Sequence, residues 1–112
     1  MYEDGDGVAK DEAQAFTWFR RSAEHGNSAA QWKIGSMYAD GVGVTKDQAE
    51  AITWFRKSAD QEYSRAQFSL GEIYENGRGV TKDLTQALAW YRKAADQGDG
   101  DAKRRAARLT KH

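Results

Sequence analysis

Apolar side chains recur along this chain at the spacing of an amphipathic helix. The first stripe consists of Ala15, Trp18, Phe19, Ser22 and Ala23. These positions follow the i, i+3, i+4, i+7, i+8 order that places side chains on one buried face. Equivalent stripes begin at Ala51 and Ala87, each 36 residues after the one before. The pattern predicts three helices of one type, here called B, over about 11–25, 47–61 and 83–97.

A second helical stripe lies between the B-type helices, in the segment from Ser28 to Asp40. It consists of Ala30, Ile34, Gly35 and Tyr38, repeated as Ala66, Leu70, Gly71 and Tyr74. A glycine inside a helix costs about 1 kcal/mol relative to alanine. Its recurrence at one phase therefore predicts a close approach between this A-type helix and a B-type helix. The segment 101–111 has the same phase and is predicted to be a further A-type helix.

A glycine-rich segment connects each A-type helix to the B-type helix that follows. Its three copies occupy residues 5–11, 41–47 and 77–83. Each copy ends in an aspartate that is suited to cap the next helix, and the constant period predicts a solenoid of stacked repeats. Gly26 and Gly98 lie where a left-handed residue would end a B-type helix. Glu62 takes that place in the second copy. Because a left-handed glutamate costs roughly 1 kcal/mol, we expect that helix to run about one turn further, through Tyr63.

Composition narrows the class of protein without adding a chemical site. Lys plus Arg and Asp plus Glu number 17 each, so the chain is not expected to be a general polyanion binder. It has no Cys and no Pro, which excludes thiolate chemistry and suits a mostly helical chain. No apolar run approaches the roughly 18 residues that span a membrane, and the acidic N-terminal segment does not resemble a secretory signal. We expect one soluble domain, residues 1–112.

Three features could carry chemistry, and each has a structural explanation. Gly41-Val42-Gly43 is similar to part of a nucleotide-binding loop, but Lys46 takes the last glycine position and no strand precedes it, which favours a turn. His25 and His112 form no ligand cluster, so no catalytic residue, metal or cofactor is predicted. The third feature is a ladder of cations on the B-type helices: Arg20-Arg21, Arg56-Lys57 and Arg92-Lys93. We interpret it as a solvated face that stabilises the helix ends.

The phased residues resemble the Sel-one-like repeat (SLR) family, a relative of the tetratricopeptide repeat. The third copy carries the family pattern at Ala66, Leu70, Gly71, Tyr74, Gly77, Gly79, Val80, Asp83, Ala87, Trp90, Ala94, Ala95 and Gly98. The middle copy departs from it at Ile34, Ser58 and Glu62. One branch of the family is cysteine-rich and linked to β-lactam binding. That property is not carried over, because this chain has no cysteine.

The resemblance implies an all-α fold, a right-handed α-solenoid of antiparallel helix pairs whose A-type helices line a concave surface. The repeats are expected at about 1–28 (partial), 29–64, 65–100 and 101–112 (a partial, capping helix). The family also implies a non-enzymatic scaffold or adaptor that binds a peptide or helix of a partner protein. An enzyme is the least favoured alternative, since no catalytic constellation is visible.

The analogy with tetratricopeptide repeats places one set of A-helix positions on the concave face. The predicted partner-binding residues are Trp32, Ser36, Ala39, Asp40, Arg65, Phe68, Glu72, Glu75, Asn76, Arg104 and Arg108. For Trp32 and Phe68 two interpretations stay open, a groove position or packing between repeats. A second functional hypothesis is that the basic helix at 101–111 binds an anionic partner or nucleic acid. A salt titration with generic DNA would separate the two hypotheses, because phosphate contacts weaken steeply with salt.

The 36-residue period predicts that the first repeat lacks most of its A-type helix. Residues 1–5 align with 37–41, the end of an A-type helix, so the first B-type helix lacks most of its partner. We expect its apolar face, with Phe16, Trp18 and Phe19, to be exposed in the isolated chain. Two outcomes are expected: the chain is a segment of a longer repeat protein, or this end pairs with another copy. The basic C-terminal helix is polar enough to serve as a cap.

Overall fold

A computed structural model describes the backbone of residues 5–110 and the side chains of residues 11–110. Six α-helices and no strand occur in that part of the chain. They are α1 (Gly5–Glu24), α2 (Ser28–Asp40), α3 (Gln48–Ala59), α4 (Ser64–Asn76), α5 (Leu84–Asp96) and α6 (Gly100–Thr110). The odd-numbered helices are the predicted B type and the even-numbered ones the A type. The structure divides into two compact units, one ending at Trp54 and one beginning at Phe55. The expectation of a single domain stays a prediction.

The aspartates that end the two loops after α2 and α4 bind both the following and the preceding helix. The Asp47 carboxylate accepts a bond from the Glu50 N–H at 3.1 Å, and the Asp83 carboxylate accepts one from Gln86 N–H at 3.0 Å. Their own N–H groups donate to the carbonyl oxygens of Tyr38 and Tyr74 in the preceding A-type helices, each at 2.9 Å. The aspartate N–H is thus used between helices rather than by a reciprocal capping box.

The first copy of the glycine-rich segment differs from the prediction. Residues 5–10 are helical and continue α1, whereas 41–47 and 77–83 form loops. Ala9 stands in this copy where the others have Thr45 and Thr81, and alanine has the highest helix propensity. The other two copies are also fixed by bonds back to an A-type helix, such as Gly41 N–H to Met37 O at 2.8 Å. The expected helix end at residues 1–4, like Lys111, lies outside the described residues.

The prediction for Glu62 was wrong. Helix α3 ends at Ala59, and Glu62 adopts a left-handed φ of 65° in the same turn that Gly26 and Gly98 make elsewhere. After this turn, the Tyr63 carbonyl oxygen accepts a hydrogen bond from the Gln67 N–H at the start of α4, with an N–O distance of 3.1 Å. The Glu62 carboxylate in addition accepts from Gln67 Nε2 at 3.2 Å. These bonds offset the roughly 1–2 kcal/mol that a left-handed non-glycine residue costs.

Two buried glutamines that were not predicted bind the ends of B-type helices. Gln31 Nε2 donates to the Ala23 carbonyl oxygen at 3.1 Å, and Gln67 Nε2 donates to the Ala59 carbonyl oxygen at 3.3 Å. The two glutamines are 36 residues apart, so their shared phase was the available signal. Each adds a second donor to a helix-terminal carbonyl oxygen, which also accepts from the N–H of Gly26 or Glu62 in the following turn.

The core of the first unit forms where α1, α2 and the start of α3 meet. Its buried members are Phe16, Ala23, Ala30, Ile34, Met37 and Trp54. Trp54 is 8% exposed, which confirms its predicted burial. Trp18, at the same phase one repeat earlier, is 69% exposed, which contradicts its place in the first buried stripe and agrees with the exposure expected for the incomplete first repeat. Trp54 is covered by the helices that precede it in the chain, and the structure describes no helix before α1. The expected exposure of Phe16 was wrong: Phe16 is buried, because its ring packs edge-on against Tyr38 of α2 at 5.4 Å between ring centroids.

The core of the second unit depends on the close approach that Gly71 permits. A Cβ atom at Gly71 of α4 would lie 2.5 Å from Cε1 and 2.6 Å from Cδ1 of Tyr91 on α5. Tyr91 is fully buried, as are Leu70 and Ala87. The predicted packing reason for a mid-helix glycine is therefore present at this position. Val80 of the loop packs against the same cluster.

Candidate partner-binding face

The predicted binding residues all lie on the A-type helices, and each unit presents its own set. Helix α2 carries Trp32, Ser36, Ala39 and Asp40, of which the first three are half-buried and Asp40 is exposed. Helices α4 and α6 carry Arg65, Phe68, Glu72, Glu75, Asn76, Arg104 and Arg108. Arg65, Asn76, Arg104 and Arg108 are exposed, and the other three are half-buried. The second set contains the denser array of contacts.

Glu75 is the centre of a polar network between α4, α5 and α6. Its side chain is only 13% exposed. Tyr91 donates its hydroxyl proton to Glu75 Oε1 at 2.7 Å, and Arg105 Nη1 lies 3.7 Å from the same oxygen. Arg108 forms an ion pair with the other carboxylate oxygen. Two donors, Tyr91 and Arg108, and the nearby Arg105 cation thus fix one carboxylate on the A-helix face.

Arg105 connects this network to Glu72 and to Phe68. Its Nη1 lies 3.3 Å from Glu72 Oε2 and donates to the Tyr91 hydroxyl oxygen at 3.2 Å. Its guanidinium group lies 5.1 Å from the Phe68 ring centroid, within the range of a cation–π contact. The face therefore carries charges of both signs from α4 and α6, and the Arg105 guanidinium group lies over one half-buried aromatic ring.

The surroundings of Phe68 have features of both interpretations that the sequence left open, a groove position and packing between helices. Its ring contacts the Tyr91 ring at 5.4 Å between centroids, and it packs against the core of the second unit. It nevertheless stays half-buried, with Arg105 over it. Trp32 on α2 is likewise half-buried.

The Tyr91 hydroxyl is held in its neutral form. Burial raises the pKa of Tyr91 well above its usual value near 10, and the hydrogen bond to Glu75 raises the pKa further because the carboxylate needs the proton. Arg105 acts in the opposite direction with a smaller effect. Tyr91 is therefore a permanent hydrogen-bond donor to Glu75 around neutral pH.

Intramolecular ion pairs use much of the positive charge of α6. Arg105 pairs with Glu72 and Glu75, Arg108 pairs with Glu75, and Arg104 pairs with Asp101. Charge that is neutralised within the chain attracts phosphate groups less strongly. These pairs weigh against the hypothesis that α6 binds nucleic acid.

The remaining candidate groups have local structural roles. His25 Nδ1 lies 2.7 Å from the Arg21 carbonyl oxygen, to which it donates at the end of α1. The paired cations of the B-type helices are exposed, and Lys93 lies 5.1 Å from the Trp90 ring centroid. Among the described residues, no three His, Cys, Asp or Glu side chains come together in a way that could hold a metal ion. None of the described helices is both long and apolar enough to cross a membrane.

Two members of the network, Tyr91 and Arg105, were not among the predicted site residues. Tyr91 occupies the aromatic phase of Phe19 and Phe55, and its extra hydroxyl was the available signal. Arg105 directly follows Arg104, which lies 36 residues after Phe68 and so has the same phase. The structure instead places Arg105 over Phe68 and pairs Arg104 with Asp101 on its own helix.

These features define a class of protein: an all-α helical repeat in which A-type and B-type helices alternate along the chain. The chain belongs to the Sel1 repeat family, whose model matches residues 1–27, 28–63 and 64–99. The match confirms the predicted resemblance, and the predicted fold class, an all-α helical-repeat solenoid, is confirmed with it. Sel1 repeats generally act as protein-interaction scaffolds and are typically non-enzymatic.

Three solved structures illustrate the similarity. A protective antigen of uropathogenic Escherichia coli, c5321, displays an SLR fold and is 43% identical over 80% of this chain, with a TM-score of 0.78. A Sel1 repeat protein from Oxalobacter formigenes is 36% identical over 84% of the chain, with a TM-score of 0.79. Cysteine-rich protein B from Helicobacter pylori is 26% identical over 80%, with a TM-score of 0.75.

The chain spans only part of these proteins. It covers 19% of the E. coli antigen, 39% of the O. formigenes protein and 67% of the H. pylori protein. No curated protein sequence matches it significantly.

Proposed function

We propose that this chain is a non-enzymatic protein-interaction module that binds a peptide or helix of a partner protein on the face of its A-type helices. The supporting observation is the array on α4 and α6, in which Arg105 and Arg108 pair with Glu72 and Glu75 and Arg105 lies over the Phe68 ring. Exposed ion pairs contribute little to stability, typically about 0–1 kcal/mol each. Their concentration on one face is better suited to presenting charges in fixed positions.

The exposure of the array supports direct contact with a partner. The side chains of Glu72, Arg105 and Arg108 are 40%, 37% and 54% exposed, so they remain accessible while they are paired. The half-buried Phe68 ring offers an apolar anchor between them, and aromatic anchors commonly dominate binding energy. A partner segment with one apolar side chain flanked by charges of both signs fits this surface.

Two substitutions on this face test the proposal. Peptides would first be selected from a displayed random library against the immobilised chain, and their affinity for each variant would then be measured by calorimetry. We expect Glu72→Arg and Arg65→Glu each to weaken binding about tenfold, because each reverses a charge on α4, the A-type helix that carries Phe68. Arg92→Glu, an exposed charge reversal on the B-type helix α5, is the matched control and should leave affinity unchanged.

The outcome that contradicts the proposal is a set of selected peptides whose affinity falls with Arg92→Glu but not with the two A-face variants. Thermal unfolding of every variant shows whether a loss of binding merely reflects a loss of structure. Trp32→Ala combined with Phe68→Ala extends the test to both units. It should weaken binding by a larger factor than it weakens folding if these rings are anchors.

A further inference from the structure

The Arg105 side chain on α6 is held in place through one of its nitrogen atoms. Its Nη1 donates to the Tyr91 hydroxyl oxygen at 3.2 Å, lies 3.3 Å from Glu72 Oε2 and lies 3.7 Å from Glu75 Oε1. All three partners are on α4 or α5, the two helices that precede α6. The position of the guanidinium group is therefore set by contacts within the second unit.

Two aromatic rings also contact this guanidinium group. Its central carbon lies 5.1 Å from the Phe68 ring centroid and 6.0 Å from the Tyr91 ring centroid. Both distances are within the range of a cation–π contact. The Arg105 side chain is nevertheless 37% exposed. A side chain that is ordered before binding loses less conformational freedom when a ligand arrives, which favours affinity.

The contacts of Arg105 leave one edge of its guanidinium group available. Among residues 11–110, every hydrogen bond of this side chain uses Nη1, and none uses Nη2 or Nε. These two atoms carry three of the five N–H donors of an arginine side chain. A carboxylate can accept from two such nitrogens at once, in a bidentate pair. The available edge is thus a donor pair suited to a further carboxylate.

The net charge of the two A-type helices in the second unit also favours an acidic ligand. Helix α4 carries one basic and two acidic side chains, and α6 carries four basic side chains and one acidic one. The two helices together therefore have a net charge of +2, and this count includes every acidic side chain that pairs within them. Complementary charge across an interface helps to select the partner.

We propose that the face formed by α4 and α6 selects partner segments in which an Asp or Glu side chain lies next to a large apolar side chain. The carboxylate binds bidentately to Nη2 and Nε of Arg105, and the apolar side chain packs on the Phe68 ring. This inference rests on the proposed function above and assigns Arg105 as the residue that determines specificity there.

A side-chain carboxylate fits this position better than the carboxylate at the end of a chain. Terminal carboxylates are commonly captured by nests of backbone N–H groups. Phe68 and Arg105 both lie inside helices, where the backbone N–H groups are bonded to the preceding turn. The Arg105 side chain therefore supplies the donors by itself, and the bound segment continues on both sides of it.

The short distance between Arg105 and Phe68 sets the spacing of the recognised pair. Oxygen atoms that accept from the guanidinium edge lie about 2.8 Å from its nitrogens, and the guanidinium carbon lies 5.1 Å from the ring centroid. The acidic and apolar side chains must therefore be neighbours on one side of the segment. Such neighbours are two residues apart in an extended segment and three or four apart in a helix.

The peptides selected from the random library provide the first test, each synthesised with an amidated C-terminus. We expect them to carry Asp or Glu within four residues of a large apolar side chain. Replacing that acidic residue by Asn or Gln should weaken binding to the parent chain about tenfold in calorimetry, because a neutral amide loses the charge-assisted pair. Peptides that tolerate this replacement would overturn the proposal, and so would peptides that bind only with a free C-terminus.

Arg105→Lys tests the assigned residue. Lysine keeps the charge but lacks the planar pair of donors. Lys33, 72 residues earlier, lies 5.9 Å from the Phe19 ring centroid, so the first unit already holds a lysine at this phase. We expect the variant to bind the acidic peptide about tenfold more weakly and the amide peptide less than about twofold more weakly. Arg92→Lys, the same change at an exposed position of α5, is the matched control and should leave both affinities unchanged.

The outcomes separate this inference from the proposed function. Peptides whose affinity falls with Arg65→Glu and Phe68→Ala but not with Arg105→Lys would support the binding face and overturn the role of Arg105. A selection that yields no peptide, or peptides that respond to none of these variants, would overturn both. Thermal unfolding checks that each variant folds. The replacement of the acidic residue in the peptide leaves the protein unchanged, so it decides the proposal even if Arg105→Lys does not fold.

Discussion

Replacing Gly71 by alanine tests the packing of α4 against α5 with the smallest possible change. The added methyl group would lie 2.5 Å from Cε1, 2.6 Å from Cδ1 and 3.0 Å from Cγ of Tyr91. These separations are too short for carbon atoms, so the ring or the helix must move. The ring is fully buried, and its hydroxyl is bonded to Glu75 at 2.7 Å. Any displacement therefore disturbs both the core and the polar network.

The expected cost follows from three contributions. Overpacking of a buried site costs about 1–3 kcal/mol, and a weakened Tyr91–Glu75 hydrogen bond adds about 1 kcal/mol. Alanine regains about 1 kcal/mol because it favours the helix more than glycine does. Gly71→Ala should therefore lower the free energy of unfolding by about 1–3 kcal/mol, and Gly71→Leu should lower it more despite the good helix propensity of leucine.

Urea unfolding followed by far-UV circular dichroism measures this change. Gly100→Ala on α6 is the matched control, because its Cβ atom would meet only Arg104 Nη1 at 3.8 Å, an ordinary contact. That variant should be as stable as the parent or slightly more stable. A Gly71→Ala variant that matches the parent or exceeds its stability would show that the two helices do not approach as closely as described.

Three further predictions use other features of the fold. Trp54→Ala should lower the free energy of unfolding by about 3–5 kcal/mol, while Trp18→Ala, at the same phase but exposed, should change it by less than about 1 kcal/mol in dilute solution. Equal effects of the two substitutions would contradict the assigned burial. Because the pKa of Tyr91 is raised in the folded chain, the unfolded chain loses the hydroxyl proton first, so stability should fall as pH rises above about 10. Tyr91→Phe should reduce the slope of melting temperature against pH in that range, and an unchanged slope would count against the buried hydroxyl. Glu62→Gly should raise the free energy of unfolding by at most about 1 kcal/mol, since it removes a left-handed glutamate. A clear decrease of that free energy in urea unfolding would mean that the bond to Gln67 outweighs the backbone strain.

Local signals in the sequence were sufficient for the helices and most of their ends. The bounds of α2 are those predicted from the stripe and its flanking residues, Ser28–Asp40. The caps at Asp47 and Asp83 and the left-handed Gly26 and Gly98 were also predicted. These features depend on residues within about one turn of each other, so the sequence carries them directly.

Glu62 and the segment 5–10 show where local preference fails. At Glu62, the start of α4 and the bond from Gln67 impose a left-handed turn that glutamate alone disfavours. At 5–10, the same glycine-rich sequence type is helical, whereas the later copies are held as loops by bonds to an A-type helix. In both cases a contact with another element decides between conformations that differ by only about 1–2 kcal/mol.

The 36-residue period established the all-α repeat fold, the alternation of helix types and the residues available on the A-type helices. The tertiary structure alone determined which equivalent positions are buried, because Trp18 and Trp54 have the same phase but different neighbours. It also assembled Tyr91, Glu75 and Arg105 from three helices into one network. Periodicity fixes the direction of a side chain on its own helix, whereas burial and charge pairing depend on atoms from distant parts of the chain.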